Sequence, residues 1–388
     1  MTKLLPPNDW QNRADLAALV EALGAGNLRW VGGCVRDTLL GLTVKDIDAA
    51  TPLLPDEVMA RCKEAGLRTV PTGIEHGTVT VVLEGGNVEV TTLRHDVSTD
   101  GRRATVSFAK EWREDAARRD FTINALYADP ADGAVHDYFG GLEDLAARHL
   151  RFIGDARQRI REDHLRILRY FRFQARFGST PADEEAESAC RELAATLKGL
   201  SRERIGMEMM NLLGLANPAP TLARMAELGV LDVILPEADV AALAALVAQE
   251  QAQAVAPDAL RRLAALLPAE PALAEQVASR FRLSGAQKKR LATAAARSGD
   301  DRHARAMAYD LGQESALDRL LLSGRAVAPL EGWIVPSFPL KGGQIVARGV
   351  GAGPDVARLL RQVEQLWIAE GFPDETRVQA LLDEALQA

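Results

Sequence analysis

Residues 31–50 read "VGGCVRDTLLGLTVKDIDAA", and the order of their parts decides the fold: a glycine pair, a short apolar run, another glycine, then two acids. Gly32 and Gly33 follow a strand read over 28–31 and open a helix read over 34–40, which Gly41 ends. The chain then returns through Lys45 as a strand over 47–50. Residues i and i+2 of a strand share a face. Asp46 and Asp48 are therefore expected side by side, with Ile47 turned to the core. Adjacent carboxylates repel unless a cation or a proton lies between them, and Mg²⁺ takes one or two carboxylates plus substrate phosphates. The glycine turn adds exposed backbone N–H groups where a helix dipole favours an anion, and glycine lets a phosphate approach closely. Arg36 can add a charge-assisted contact to that phosphate, and Asp37 reads as a local cap or partner. Asp-x-Asp alone is also what a solvated strand end looks like. Beside a glycine turn it describes a phosphate cradle next to a metal-binding edge, which is what nucleotidyl transfer needs.

The rest of the chain sets bounds on that reading. Its 388 residues are 47% hydrophobic and 26% charged, enough for several domains with sizeable cores. No apolar run approaches the ~20 residues that cross a bilayer. The start, MTKLLPPNDW, is too short and polar for a secretory signal. Cys34, Cys62 and Cys190 are too scattered for a disulfide frame or a zinc site, which fits a reducing, cytoplasmic setting. No membrane and no obligate protein partner are expected. The net charge of −8 means that a nucleic-acid partner would have to meet a local basic patch. Residues 148–176 supply one: nine Arg against Asp155, Glu162 and Asp163. They can serve a triphosphate, an RNA backbone, or both.

The first 145 or so residues mix helix and strand. A helix is read over 12–24, and strands over 78–83 and 88–93 form a hairpin turning at Gly85-Gly86-Asn87. After that the β signal fades into helical spacing punctuated by Pro and Gly. Glu89 is an acid among Val88, Val90 and Thr91, and so a candidate third carboxylate, or else an outward-facing one. His76 reads as structural. Residues 94–108 are polar and read as a mobile loop.

"ARRDFTINALYAD", residues 117–129, puts Asp120 and Asn124 at i, i+4, one face of a helical turn. There they could grip a ribose, with Arg118 and Arg119 able to contact phosphate. "REDHLRILRYFRFQARFG", residues 161–178, reads as one helix with Glu162, Arg166, Arg169 and Phe173 near one face and Asp163 beside Arg166. This could be an intrahelical ion-pair set. A carboxylate acceptor beside an arginine donor also matches the pairing edge of cytosine and of adenine, and mismatches uracil and guanine, whose polar groups are reversed. Asp163 and Arg166 supply that pair, and Glu162 can orient the arginine.

These elements, Gly-Gly-x-Val-Arg-Asp-x-Leu-Leu-Gly followed by Asp-Ile-Asp, then Arg-Arg-Asp-x-x-x-Asn and Glu-Asp-x-x-Arg, resemble the signature of class II tRNA CCA-adding enzymes and bacterial poly(A) polymerases. "PLKGGQIVARGVGAGPDVARLL" from residue 339 is similar to the tail of the same family, where Lys341 and Arg348 could touch RNA phosphate. The resemblance implies an α+β fold: a nucleotidyltransferase head with a small sheet flanked by helices (1–145), then an elongated helical neck carrying the base reader (146–210), a body (211–270) and an RNA-binding tail (271–388). It implies Mg²⁺ at Asp46 and Asp48, with Glu89 facing the same site. Nucleotide contacts fall to Gly32, Gly33, Arg36, Arg119, Asp120, Asn124, Glu162, Asp163, Arg166 and Arg169. The implied reaction is attack of a tRNA 3′-hydroxyl on CTP and ATP, releasing pyrophosphate, with residues 94–108 helping the site switch between nucleotides. A poly(A) polymerase of the same fold and an enzyme adding only CC or only A stay open. The lead-in Thr72-Gly73-x-x-His76-Gly77-Thr78 leans toward CCA addition. A small-molecule nucleotidyltransferase would not need the base reader or the tail, and a non-catalytic RNA-binding protein would not need both acids.

Overall fold

The computed structural model describes residues 3–100, 103–298, 300 and 303–387. They fall into two compact units, residues 1–236 and 237–388.

The first unit carries nine strands: β1 (Arg29–Val31), β2 (Ile47–Thr51), β3 (Arg68–Gly73), β4 (Thr78–Val82), β5 (Val88–Thr92), β6 (Arg94–Asp100), β7 (Arg103–Phe108), β8 (Leu126–Ala128) and β9 (Val135–Asp137). Seven form one sheet in the order β3-β4-β5-β2-β1-β8-β9, while β6 and β7 pair only with each other. Within the large sheet β2 and β5 run parallel, with Asp48 opposite Glu89; β4 and β5 are the expected antiparallel hairpin. Period-two burial fixes the faces. Val79, Val81, Val88 and Val90 are buried on one side, while Thr80, Glu89 and Asp48 line up on the other. A slip of one residue would exchange the two sets.

Residues 94–108 are a two-stranded ribbon rather than the loop their polarity suggests; the tip at 101–102 lies outside the described residues, as does any test of its mobility.

The helices of this unit are α1 (Ala14–Leu23), α2 (Gly33–Leu39), α3 (Pro55–Glu64), α4 (Trp112–Ala117), α5 (Gly141–Ala147), α6 (Ala156–Glu162), α7 (Arg166–Phe177), α8 (Glu184–Leu193), α9 (Arg202–Leu213), α10 (Ala219–Glu227) and α11 (Val230–Ile234). On α7 the residues Ile167, Tyr170, Phe171, Phe173 and Phe177 are buried. Phe121, just ahead of β8, meets the rings of Phe152, Tyr170 and Phe173 at 4.9, 6.3 and 5.3 Å. This aromatic cluster, in the offset geometry that rings prefer, sets α7 against the sheet. The helix read over 161–178 is in fact broken. Asp163 is extended, and its carboxylate accepts the Leu165 N–H at 3.1 Å, a local bond that competes with helix continuation.

The second unit is helical, from Val240–Ala252 to Glu375–Gln387. At its centre Arg261, Arg262, Glu250 and Asp318 are buried together, the carboxylates each receiving arginine N–H groups at 2.6–2.9 Å. The helix Pro354–Ala369 starts on proline, as the Gly-Pro sequence predicts. No helix among the described residues is long and apolar enough to cross a membrane.

Candidate active site

The glycine turn is built as a turn must be. Gly32 has φ +73° and caps α2, a conformation that side chains rarely adopt. A Cβ there would also stand 3.6 Å from the Arg119 Nη1 and from the Asn124 carbonyl. Cys34, fully buried, donates weakly to the Val31 and Asp48 carbonyls at 3.4 and 3.7 Å, tying the turn to β2. Burial pushes its thiol up to about 11, so it acts here as packing.

Asp48 is the second residue of β2, half-buried. Asp46 is exposed one residue ahead of the strand, and Ile47 between them is buried. Glu89, exposed, is the cross-strand partner of Asp48 on the parallel neighbour. Burial and the nearby Glu89 carboxylate raise the Asp48 carboxyl to about 6, with Asp46 adding to the rise and Arg119 opposing it. Three acids are thus concentrated at the two central strands β2 and β5, and their mutual repulsion is what a divalent cation would relieve. Among the described residues no three His, Cys, Asp or Glu side chains are drawn together as a closed metal cage. An open pair of carboxylates fits a magnesium ion that completes its shell with water and substrate phosphates.

Arg119 lies near both Asp48, whose rise it opposes, and the Gly32 turn. Its Nε and Nη2 donate to Asp115 Oδ2 at 3.3 and 3.0 Å, and Nε also meets Tyr127 Oη at 3.1 Å. Arg118 holds the other oxygen of Asp115 at 2.9 Å. Burial would raise the Asp115 carboxyl, but Arg119 and Arg118 outweigh it and hold Asp115 well below the usual carboxylate range. Sequence reading passed over Asp115 and Tyr127. The available signal was Asp115 at i−3 and i−4 from the two arginines, a helical ion-pair spacing.

Asp120 and Asn124 do face each other, with Asn124 Nδ2 donating to Asp120 Oδ1 at 3.0 Å. Asn124 ends a 3₁₀ turn, Thr122–Asn124, and Asp120 lies two residues ahead of it, rather than both on a turn of α-helix. Arg169 of α7 grips Asp120 Oδ2 with Nε and Nη2 at 2.9 and 2.6 Å. Against the effect of burial, Arg169 and Asn124 hold this carboxyl down at about 2. Arg36 is 5% exposed, bonded to Asp37 at 2.7 Å and Asn124 Oδ1 at 2.5 Å, and set 4.2 Å over the Phe177 ring. It fastens α2 to the Asp120–Asn124 turn and to α7.

Asp163 and Arg166, expected from the sequence as a base-reading pair, are arranged differently from a simple i, i+3 set. Arg166 donates to Glu162 at 2.7 Å and to the carbonyls of Arg159 and Arg118 at 2.9 and 3.0 Å. Asp163, at the helix break, accepts from Arg204 of α9 at 2.7 Å. Glu162 therefore orients Arg166, while Asp163 is held separately. Three of the five Arg166 donors are occupied by these bonds. His76 is exposed, and only its carbonyl takes a bond, from Arg94. A separate groove of about 800 Å³, lined by Arg148, Gln174, Ser179, Glu187 and Arg224 among others, contains none of the site residues.

A glycine turn facing a guanidinium, paired strand acids and an arginine held by a glutamate define a nucleotidyltransferase head. The family described as "Poly A polymerase head domain" matches residues 28–151, and the one described as "Probable RNA and SrmB- binding site of polymerase A" matches 182–241. The chain is 36% identical over 361 residues to the CCA tRNA nucleotidyltransferase 1, mitochondrial, of Danio rerio, covering 88% of this chain and 83% of that protein. Its structure is similar to the Bacillus stearothermophilus CCA-adding enzyme in complex with CTP, with 26% identity, a TM-score of 0.72 and coverage of 96% and 97% of the two chains. It shares the fold of the Thermotoga maritima CCA-adding enzyme complexed with tRNA, with 21% identity, a TM-score of 0.66 and coverage of 97% and 98%. The chain belongs to the class II CCA-adding enzymes.

Proposed function

We propose that this protein adds C, C and A to the 3′ end of tRNA, taking CTP and ATP in turn without a nucleic-acid template and releasing pyrophosphate. The observation that carries this reading is the set of acids Asp46, Asp48 and Glu89 near Arg119 and the Gly32 turn. The names of the Danio and Bacillus relatives supply the substrates, tRNA and CTP.

Asp46 and Asp48 would hold Mg²⁺, which when bound lowers the pKa of an attacking hydroxyl and offsets charge at the α-phosphate. Glu89 adds negative potential on the same strand pair. The Gly32–Gly33 turn lets the triphosphate approach the backbone, and Arg119 neutralises it. Asp120 and Asn124 present an acceptor and an amide to the ribose. Asp120 stays ionised for this because Arg169 holds it. Arg166, oriented by Glu162, and Asp163, held by Arg204, read the amine and ring nitrogen shared by C and A. Arg36 supports that frame from beneath.

The finer division into head (1–145), neck (146–210), body (211–270) and tail (271–388) belongs to the same proposal, as does a reducing compartment, supported by three buried free thiols.

The test is product length. Purified protein, Mg²⁺, and tRNA lacking its last three nucleotides are incubated with each labelled nucleotide. Two C followed by one A is expected. An unbounded A run would make the protein a poly(A) polymerase, and arrest after CC or failure to add C would make it a partial-function enzyme. No transfer at all would refute the reading.

A further inference from the structure

Two groups outside the expected site converge on Arg119, and the geometry points to a role for them: we infer that Tyr127 and Asp115 are positioning residues that hold the Arg119 guanidinium against the Gly32 turn, so that it meets the nucleotide triphosphate ready oriented. The inference rests on the nucleotidyltransferase reading and extends it to residues that touch no substrate.

Asp115 is 1% exposed and Tyr127 fully buried. The phenol donates to Asp115 Oδ2 at 2.6 Å and accepts from Arg119 Nε at 3.1 Å. It therefore closes a three-membered ring of bonds whose third side is Arg119 to Asp115. The Tyr127 ring also underlies the guanidinium at 5.3 Å, and the edge of Trp112 packs on that ring at 5.8 Å. Nε and one side of Nη2 are thereby committed to the protein interior, and Nη1 is left on the side of the glycine turn, 3.6 Å from where a Gly32 Cβ would be. One carboxylate shared by Arg118 and Arg119 leaves the cluster with a net positive charge, available to an anion. An arginine without this support would sample many rotamers and lose part of its bidentate reach to phosphate. The tyrosine comes from β8, next to β1 in the sheet, so the strand that ends at the glycine turn and the strand that braces the arginine are hydrogen-bonded neighbours.

The experiment is a double-mutant cycle on the full-length protein with Tyr127→Phe and Arg119→Lys. It reads the Kd for CTP and for ATP by calorimetry and the KM values for nucleotide and tRNA in the extension assay. Tyr127→Phe keeps the ring and its packing and removes the two bonds of the phenol to charged groups, Asp115 and Arg119, so Kd and KM should rise about fivefold or more. The rise should be the same for CTP and ATP, since both carry the triphosphate, with KM for tRNA unchanged; the unfolding midpoint should fall, since Asp115 and Arg119 each lose a buried bond. In the Arg119→Lys background the same substitution should add less than about twofold, because the planar fork it orients is gone. Equal effects in both backgrounds, or an unchanged Kd in Tyr127→Phe, would overturn the inference. A wild-type chain that binds CTP with this coupling but extends no tRNA would overturn the function proposed above and leave the positioning role standing. A wild-type chain that binds no nucleotide would overturn both.

Discussion

Asp48 is where the site's chemistry opposes its stability. Its carboxyl is raised to about 6 by burial and by Glu89, against an ordinary value near 3.9. A raised carboxyl binds its proton more tightly folded than unfolded. The folded state therefore gains from protonation below the unfolded value and loses that gain as pH rises through about 6. Without divalent cation, Asp48→Asn should have a higher thermal midpoint than wild type at pH 8, and the gap should narrow toward pH 5. A gap independent of pH would show that Asp48 carries no such strain. The same residue shows what a sequence can disclose. The i, i+2 spacing gave the Asp46–Asp48 proximity and the inward turn of Ile47. It could not disclose that Arg36 is buried against Asn124 and Phe177, because these partners are 88 and 141 positions distant and become neighbours only through the fold.

At the scale of elements, α7 is the beam that joins Arg166 to the sheet. Its arginines are spent on acids from elsewhere: Arg169 on Asp120, Arg172 on Glu208 of α9 at 2.6 Å, and Arg176 on Asp37 of α2 at 3.3 Å. Glu208 is 3% exposed and faces both Arg172 and Arg169. Glu208→Ala leaves Arg172 without its counter-ion, while Arg169 keeps Asp120, and should destabilise the fold by about 2 kcal/mol or more. Denaturant unfolding checks this, and a midpoint within error of wild type would contradict it. The four strands read from sequence in the head are present: β4 and β5 carry Val and Thr at period two against a buried face, and β1 and β2 bury Trp30, Val31, Ile47 and Ala49. β3, β8 and β9 escaped notice: β8 and β9 are three residues long, and β3 contains a proline and a register shift against β4. The β6–β7 ribbon escaped for another reason. Its sequence is polar on both sides of the alternation, and pattern reading needs one apolar side.

For the molecule as a whole, charge bookkeeping by window misleads. The excess of six positive charges in 148–176 is largely internal. Arg151, Arg157, Arg159, Arg166, Arg169, Arg172 and Arg176 all pair with carboxylates, most of them from outside that window. The stretch is less a basic face than a set of braces around α6 and α7, and Arg148 and Arg161, exposed, keep their charge for solvent. The helical character of residues 237–388 was legible from spacing. The buried Arg261–Glu250–Asp318 centre was not, since charged residues in an amphipathic pattern read as surface. The family motifs fixed the head because they name the chemistry, and the coordinates add how each group is held. The central claim is that Asp46 and Asp48 carry the metal-dependent step while other residues hold the nucleotide. Its most direct test is rapid-quench extension of tRNA lacking CCA by Asp48→Asn in saturating CTP and Mg²⁺, alongside calorimetric CTP binding. Transfer at the no-enzyme background with CTP affinity retained is the predicted result; extension at the wild-type rate would contradict the account.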